Sequence, residues 1–70
     1  MSNNVYKMME LVGSSPTSSD DAVQNAIETA AETVRNIDWY EVIQSRGHVV
    51  NGKVAHYQVT LKAGFRIERD

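Results

Sequence analysis

The chain has 70 residues, a formal net charge of −2 and no cysteine, which predicts one small domain (residues 1–70) without disulfides or thiolate metal sites. The slight acidic surplus argues against a nucleic-acid-binding protein, and no stretch approaches the roughly 20 apolar residues of a membrane span. The lack of cysteine fits a cytoplasmic location. Because so short a chain buries only about 60% of its unfolded surface, we expect oligomerisation to add stability.

The first predicted elements are a strand and a helix. Residues 5–12 predict a strand, which the turn-forming residues 13–18 end. Ser18 predicts a helix N-cap, and the two aspartates after it complement the positive end of the helix dipole. The helix should run for about five turns, because apolar residues recur at steps of three and four. This apolar stripe comprises Val23, Ala26, Ile27, Ala30, Val34 and Ile37.

Residues 38–67 predict one long β-hairpin. Its turn is Asn51-Gly52, since a type I′ turn needs a positive φ at both central residues. A two-residue turn pairs Val50 with Lys53, Ser45 with Gln58, Val42 with Leu61, and Trp39 with Gly64. Alternate residues of the returning strand then form an apolar face that comprises Ala55, Tyr57, Val59, Leu61, Ala63, Phe65 and Ile67. Trp39 lies on the opposite, polar face.

The order of elements predicts an α+β protein with a β-α-β-β protomer. The third strand should lie between the other two, which gives a three-stranded antiparallel sheet packed on one helix. One helix covers only one face of such a sheet. On the other face, Trp39, Ile43, Val49 and Val54 lie among polar residues, and exposed apolar area of this kind usually marks an interface or a ligand site.

Six short motifs occur in succession at fixed spacings between Val5 and Glu68. They are Lys7-x-x-Glu10-Leu11-Val12-Gly13-x-Ser15, Ala22-x-x-x-Ala26-Ile27, Asp38-Trp39-Tyr40-Glu41-Val42, Arg46-Gly47, Tyr57-Gln58-Val59 and Gly64-Phe65-Arg66-Ile67-Glu68. Together they resemble the dodecins, small flavoproteins whose β-α-β-β protomers assemble into a hollow dodecamer. Dodecins hold flavins in pairs between tryptophans at two-fold axes and are regarded as flavin stores or buffers. Some bacterial members also hold coenzyme A.

The resemblance implies a non-catalytic homododecamer that binds FMN or riboflavin, with coenzyme A as a further ligand. It gives Trp39 the stacking role, gives Gln58 the hydrogen bonds to the polar edge of the isoalloxazine ring, and places Arg66 and Arg46 near the FMN phosphate. In the predicted register Trp39, Gln58 and Arg66 share a face. Six residues, or roughly 20 Å, separate the levels of Trp39 and Gln58, so two protomers would have to build one site. The same register places Arg46 on the helix-covered face, where its role would need a bulge or a neighbouring subunit.

Other functional classes have less support from the sequence. We find no nucleophile–base–orienter set, no phosphate loop and no metal signature, so no catalytic residue is predicted. The register places His48 and His56 on opposite faces with no third ligand nearby, so no metal site is predicted either. The alternative is a homo-oligomeric protein-interaction module that uses the open sheet face, with Trp39 as its anchor.

Overall fold

The computed structural model describes residues 3–68 and confirms the predicted order of elements. The strands are β1 (Tyr6–Ser15), β2 (Ile37–Val50) and β3 (Lys53–Arg66), and the helix is α1 (Ser19–Ala31). The strands form one antiparallel sheet in the order β1-β3-β2. The third strand is therefore central, as predicted.

β1 continues beyond its predicted end at residue 12. Residues 13–15 remain paired with β3, so the chain turns only at Pro16. The buried side chain of Ser15 organises this turn, because its Oγ accepts a hydrogen bond from the backbone N–H of Thr17 at 2.9 Å and donates one to the Asp21 carboxylate at 2.6 Å. Serine side chains commonly bond nearby backbone in this way, and here the bond lies beyond the strand and does not interrupt it.

α1 begins where predicted and ends about a turn and a half early. Ser18 is the N-cap, and its Oγ accepts a hydrogen bond from the backbone N–H of Asp21 at 3.0 Å. The prediction of about five turns is wrong, because α1 ends at Ala31 and Ile37 already belongs to β2. After a turn at Glu32 and Thr33, the left-handed φ of 67° at Asn36 prevents the chain from resuming a right-handed helix before β2. The Asn36 carbonyl instead accepts a hydrogen bond from the backbone N–H of Arg66 at 2.9 Å.

The core lies between α1 and the two strands β1 and β3. Ala22 and Ala26 of the helix pack against Val59 and Leu61 of β3 in one buried cluster. The helix also approaches the backbone of β1 directly, since a Cβ built on Gly13 would lie 2.0 Å from the Ala22 carbonyl oxygen. Small residues on both sides of this contact therefore set the distance between helix and sheet.

β2 is an edge strand that α1 leaves uncovered. Each of its residues from 38 to 50 is exposed in the single chain. Its large exposed apolar residues are Trp39, Tyr40, Val42, Ile43, Val49 and Val50. So much apolar area on one edge indicates a surface that another chain or a ligand covers.

The hairpin turn is confirmed, but three bulges interrupt the register beyond it. Asn51 and Gly52 have φ values of 54° and 75°, as a type I′ turn requires. The residues skipped by the pairing are Ala55 on β3, and Ile43 and Asp38 on β2. A bulge adds one residue to one strand and exchanges the faces of the residues beyond it.

The bulges at Ala55 and Ile43 shift the pairing of β2 and β3 in opposite directions, so their effects on the register cancel. Val42 faces Leu61 and Trp39 faces Gly64, as predicted. Between the bulges the predicted register is wrong by one residue, so that Ser45 faces Val59 and does not face Gln58.

The predicted distribution of side chains between the two faces is therefore wrong for residues 44–50 of β2 and residues 53–54 of β3. The prediction that Val49 and Val54 share the open face with Trp39 is among these errors, because Val49 alternates with His48 and Val54 pairs with Val49. A Cβ built on Gly47 would accordingly lie 3.3 Å from the Val54 side chain.

The close approach of α1 to β1 makes a stability prediction. Gly13→Ala should lower the free energy of unfolding by about 1–3 kcal/mol, because the added methyl would force helix and strand apart. The measurement is chemical unfolding at a fixed protein concentration, with the exposed neighbour variant Ser14→Ala as control. Equal stability of the two variants would contradict the packing.

Candidate ligand-binding site

Trp39 packs directly against the backbone of β3 on the sheet face that α1 leaves open. A Cβ built on its pairing partner Gly64 would lie 2.2 Å from the indole Cε2 and Cζ2 atoms. The indole thus occupies the space that any side chain at position 64 would need. Trp39 remains 40% exposed, so this seat on Gly64 leaves part of the ring accessible. A glycine inside a strand often marks such a close approach, and this signal could have identified Gly64 from the sequence.

Tyr6 supports the indole from the side of β1. The ring centroids of Tyr6 and Trp39 are 6.1 Å apart, and the ring planes are inclined by 52°, within the range that aromatic pairs favour. Arg66 pairs with Tyr6 across the sheet and therefore lies at the same end of the open face. Sequence reasoning missed Tyr6 because the weak alternation of β1 does not show which face is buried.

Gln58 and Arg46 form a second pair farther along the open face. The Arg46 Nε donates a hydrogen bond to Gln58 Oε1 at 2.9 Å, and the guanidinium also donates to the Gln44 side-chain oxygen. The prediction that Arg46 lies on the helix-covered face is wrong, because the bulge at Ala55 turns it to the open face. Since Arg46 engages the Gln58 oxygen, the Gln58 amide offers its NH₂ group, a hydrogen-bond donor, to a ligand.

A polar cavity of about 360 Å³ adjoins this second pair. Its lining residues are Ser14, Arg46, Gly47, His48, His56 and Gln58. The two histidines face each other across β2 and β3, so the prediction that they lie on opposite faces is wrong. The bulge at Ala55 is again the reason, because it shifts His56 by one residue relative to β2.

The four predicted site residues therefore form two pairs, both on the open face. Trp39 and Arg66 lie at one end, and Gln58 and Arg46 lie at the other. Six residues of β3 separate Gly64, beneath the indole, from Gln58, which corresponds to roughly 20 Å along the strand. One ring system would contact only one pair within a single chain, so a site that uses both pairs needs two copies.

The open face combines an aromatic surface, an amide donor and two guanidinium groups. These groups suit a planar aromatic ligand with a polar edge and an anionic substituent. Within residues 3–68 of one chain, no group of three or more His, Cys, Asp or Glu residues could hold a metal ion. No helix in the described part of the chain is long and apolar enough to cross a membrane.

Residues 5–68 match the family model described as Dodecin. The chain belongs to the dodecin family. It is 45% identical over 64 residues to the dodecin of Thermus thermophilus, a match that covers 91% of this chain and 93% of that one. The fold is similar to the structure of dodecin from Streptomyces coelicolor, with a TM-score of 0.89, 51% identity and complete coverage of both chains. The calcium dodecin of Mycobacterium tuberculosis is 30% identical over 64 residues, or 91% of this chain and 90% of that protein.

Membership in the dodecin family confirms the predicted protomer. The three-stranded antiparallel sheet with one covering helix is the β-α-β-β dodecin fold, and dodecin protomers assemble with copies of themselves. The uncovered edge strand β2 and the open sheet face are the surfaces that such an assembly can cover.

The packing of the Trp39 indole against Gly64, which we call the seat of Trp39, leads to a prediction that can be tested without a ligand. Gly64→Ala should displace the indole, because the new methyl would overlap it. Trp39 is the only tryptophan, so its fluorescence emission should shift to longer wavelength and become easier to quench with acrylamide. Lys62→Ala, on the same strand and face, is the matched control and should leave the emission unchanged. An unchanged spectrum for Gly64→Ala would contradict the seat.

Proposed function

We propose that this dodecin is a cytoplasmic, non-catalytic flavin-binding protein that stores or buffers FMN or riboflavin in a homododecamer. The seat of Trp39 supports this proposal most directly. Gly64 and Tyr6 fix the indole from two sides, while part of the ring remains exposed on a face that α1 does not cover. A flat heterocycle stacked on that surface gains dispersion and buried apolar area.

The second pair of residues can recognise the polar edge of the flavin ring. The Gln58 NH₂ group would donate to a ring carbonyl, since Arg46 already engages the Gln58 oxygen. Because this pair lies far from Trp39 in the same chain, we propose that the two pairs around one flavin come from different protomers. Arg46 and Arg66 provide positive charge for the phosphate of FMN, and the same charge suits the phosphates of coenzyme A.

Storage fits the chemistry of the open face better than catalysis does. A bound flavin supplies a light-absorbing, redox-active ring. An indole in close contact can quench the excited state of such a ring by electron transfer, which diverts absorbed light from photochemistry. Binding, orientation and quenching by Trp39, Gln58 and Arg46 require no general acid or base, so these residues serve a storage and protective role directly.

Calcium is a second candidate ligand, because one relative is named calcium dodecin. Calcium takes six to eight oxygen ligands, mostly carboxylates and carbonyls. The open face instead presents indole, amide and guanidinium groups around Trp39 and Gln58. These groups favour a flavin over a calcium ion as the ligand of this face.

The stacking role of Trp39 predicts a loss of both affinity and quenching. Trp39→Ala should weaken FMN binding roughly 5- to 100-fold, the range for loss of one aromatic–base stack. It should also leave most of the flavin fluorescence unquenched. Trp39→Phe keeps a smaller aromatic face that donates electrons less readily, and should therefore lose quenching more than affinity.

The measurement is a fluorescence titration of FMN and riboflavin with each protein, after light scattering has shown an unchanged oligomer. Full quenching by Trp39→Ala would rule out stacking on Trp39. If wild-type protein bound neither flavin, Trp39 would instead fit the anchor of a protein-interaction surface.

Gln58 makes a separate prediction, because its hydrogen bond should contribute without stacking. Gln58→Ala should weaken flavin binding roughly five- to a hundred-fold, since a lost hydrogen bond with an unsatisfied partner costs about 1–3 kcal/mol. Quenching of the flavin that still binds should remain complete, because Trp39 is intact. Gln24→Ala, which removes an exposed glutamine from α1, is the matched control. A wild-type dissociation constant for Gln58→Ala would exclude Gln58 from the site.

A further inference from the structure

The chain contains two histidines, and the fold brings them together. His48 on β2 faces His56 on β3, with ring centroids 6.5 Å apart and ring planes inclined by 47°. In a hairpin without bulges His48 would face Ala55, and His56 would lie on the other side of the sheet. The pair therefore depends on the bulge at Ala55.

We propose that His48 and His56 form a binding site for a borderline transition-metal cation such as Zn²⁺ or Cu²⁺. Zn–N bonds are about 2.0–2.1 Å long, so two imidazoles on one cation have ring centres roughly 5–6 Å apart. The observed separation of 6.5 Å exceeds this range only slightly. Both histidines are exposed, so changes of side-chain rotamer can bring the two nitrogens into range.

The surroundings of the pair select the kind of cation. The adjoining cavity of about 360 Å³ has room for water molecules that complete a tetrahedral coordination sphere. Its lining contains hydroxyl, amide, imidazole and guanidinium groups and no carboxylate. Hard cations such as Ca²⁺ and Mg²⁺ need several oxygen ligands, whereas neutral imidazole nitrogens suit Zn²⁺, Cu²⁺ and Ni²⁺.

Arg46 is the charged residue in the lining of this cavity. Its guanidinium does not block access of a cation to the histidine pair. Its guanidinium donates to Gln58 and to Gln44, which lies on the side of Arg46 farther from His48 along β2. Its positive charge weakens cation binding by repulsion but does not compete for the imidazole nitrogens.

A cation on this pair would also fix the hairpin register. It would join β2 to β3 beside the bulge at Ala55, and the same bulge places Arg46 opposite Gln58. A ligand that binds only the folded register stabilises it by mass action. Metal binding would therefore add to the function proposed above without taking part in flavin stacking.

The test uses untagged, full-length protein titrated with Zn²⁺ by calorimetry and with Cu²⁺ by electron paramagnetic resonance. We expect one cation per chain, nitrogen hyperfine splitting from two imidazoles, and a higher unfolding temperature with Zn²⁺. His48→Gln and His56→Gln should each lower the Zn²⁺ affinity at least about tenfold, because losing even an outer-shell partner costs that much. The double variant should bind no more weakly than either single variant, since one histidine alone gives no chelate.

Lys53→Gln, at the nearby turn, is the control and should keep the wild-type Zn²⁺ affinity. Circular dichroism and light scattering show that both histidine variants are folded and assembled. Flavin quenching by wild-type protein without added Zn²⁺ distinguishes failure of this proposal from failure of the flavin proposal. The metal site would be excluded by absence of Zn²⁺ binding at micromolar concentrations, by wild-type affinity in either single variant, or by splitting from a single nitrogen.

Discussion

The register of the hairpin decides which side chains of this protein can act together. An extra residue on β3, Ala55, shifts the pairing by one position, and an extra residue on β2, Ile43, shifts it back. Between these bulges the pairing differs from that of an unbulged hairpin, and there Arg46 meets Gln58. Beyond them the pairing that seats Trp39 is the one that an unbulged hairpin would have. The two bulges thus add polar groups to the open face without moving the tryptophan.

The packing of the helix explains why this face and the edge strand need partners. Gly13, Ala22 and Ala26 allow α1 to lie close to the backbone of β1. A helix held so tightly at that side of the sheet covers β1 and β3 and leaves β2 exposed. The core of one chain is correspondingly small, with only Val59 and Leu61 as large buried apolar side chains in the described residues. Assembly therefore adds burial that the protomer cannot supply alone.

Local signals in the sequence predict the helix and strands. Pairing between distant residues decides where α1 ends and which side chains share a face of the sheet. The cap at Ser18 and the Asn51-Gly52 turn depend on adjacent residues, so both could be predicted. The early end of α1 could not, because the apolar spacing continues through Val34 and Ile37 while Ile37 pairs in β2 with distant Phe65, beside a bond between the Asn36 carbonyl and Arg66. The bulge at Ala55 has no glycine to mark it and arises from pairing between strands. The face of Arg46 and the histidine pair were mispredicted for that single reason.

The seat of Trp39 connects ligand binding with assembly. Gly64 covers one side of the indole, and Tyr6 covers an edge. The remaining exposed surface has no partner within residues 3–68, and leaving it in water forfeits the hydrophobic gain of burial. Under the proposed function, a flavin between indoles of two protomers would bury that surface on both. Flavin binding would then stabilise the assembled state by mass action, and an intact assembly would bring Gln58 of one protomer to the flavin on another. Binding and assembly would therefore favour each other, which suits a protein that retains its ligand without converting it.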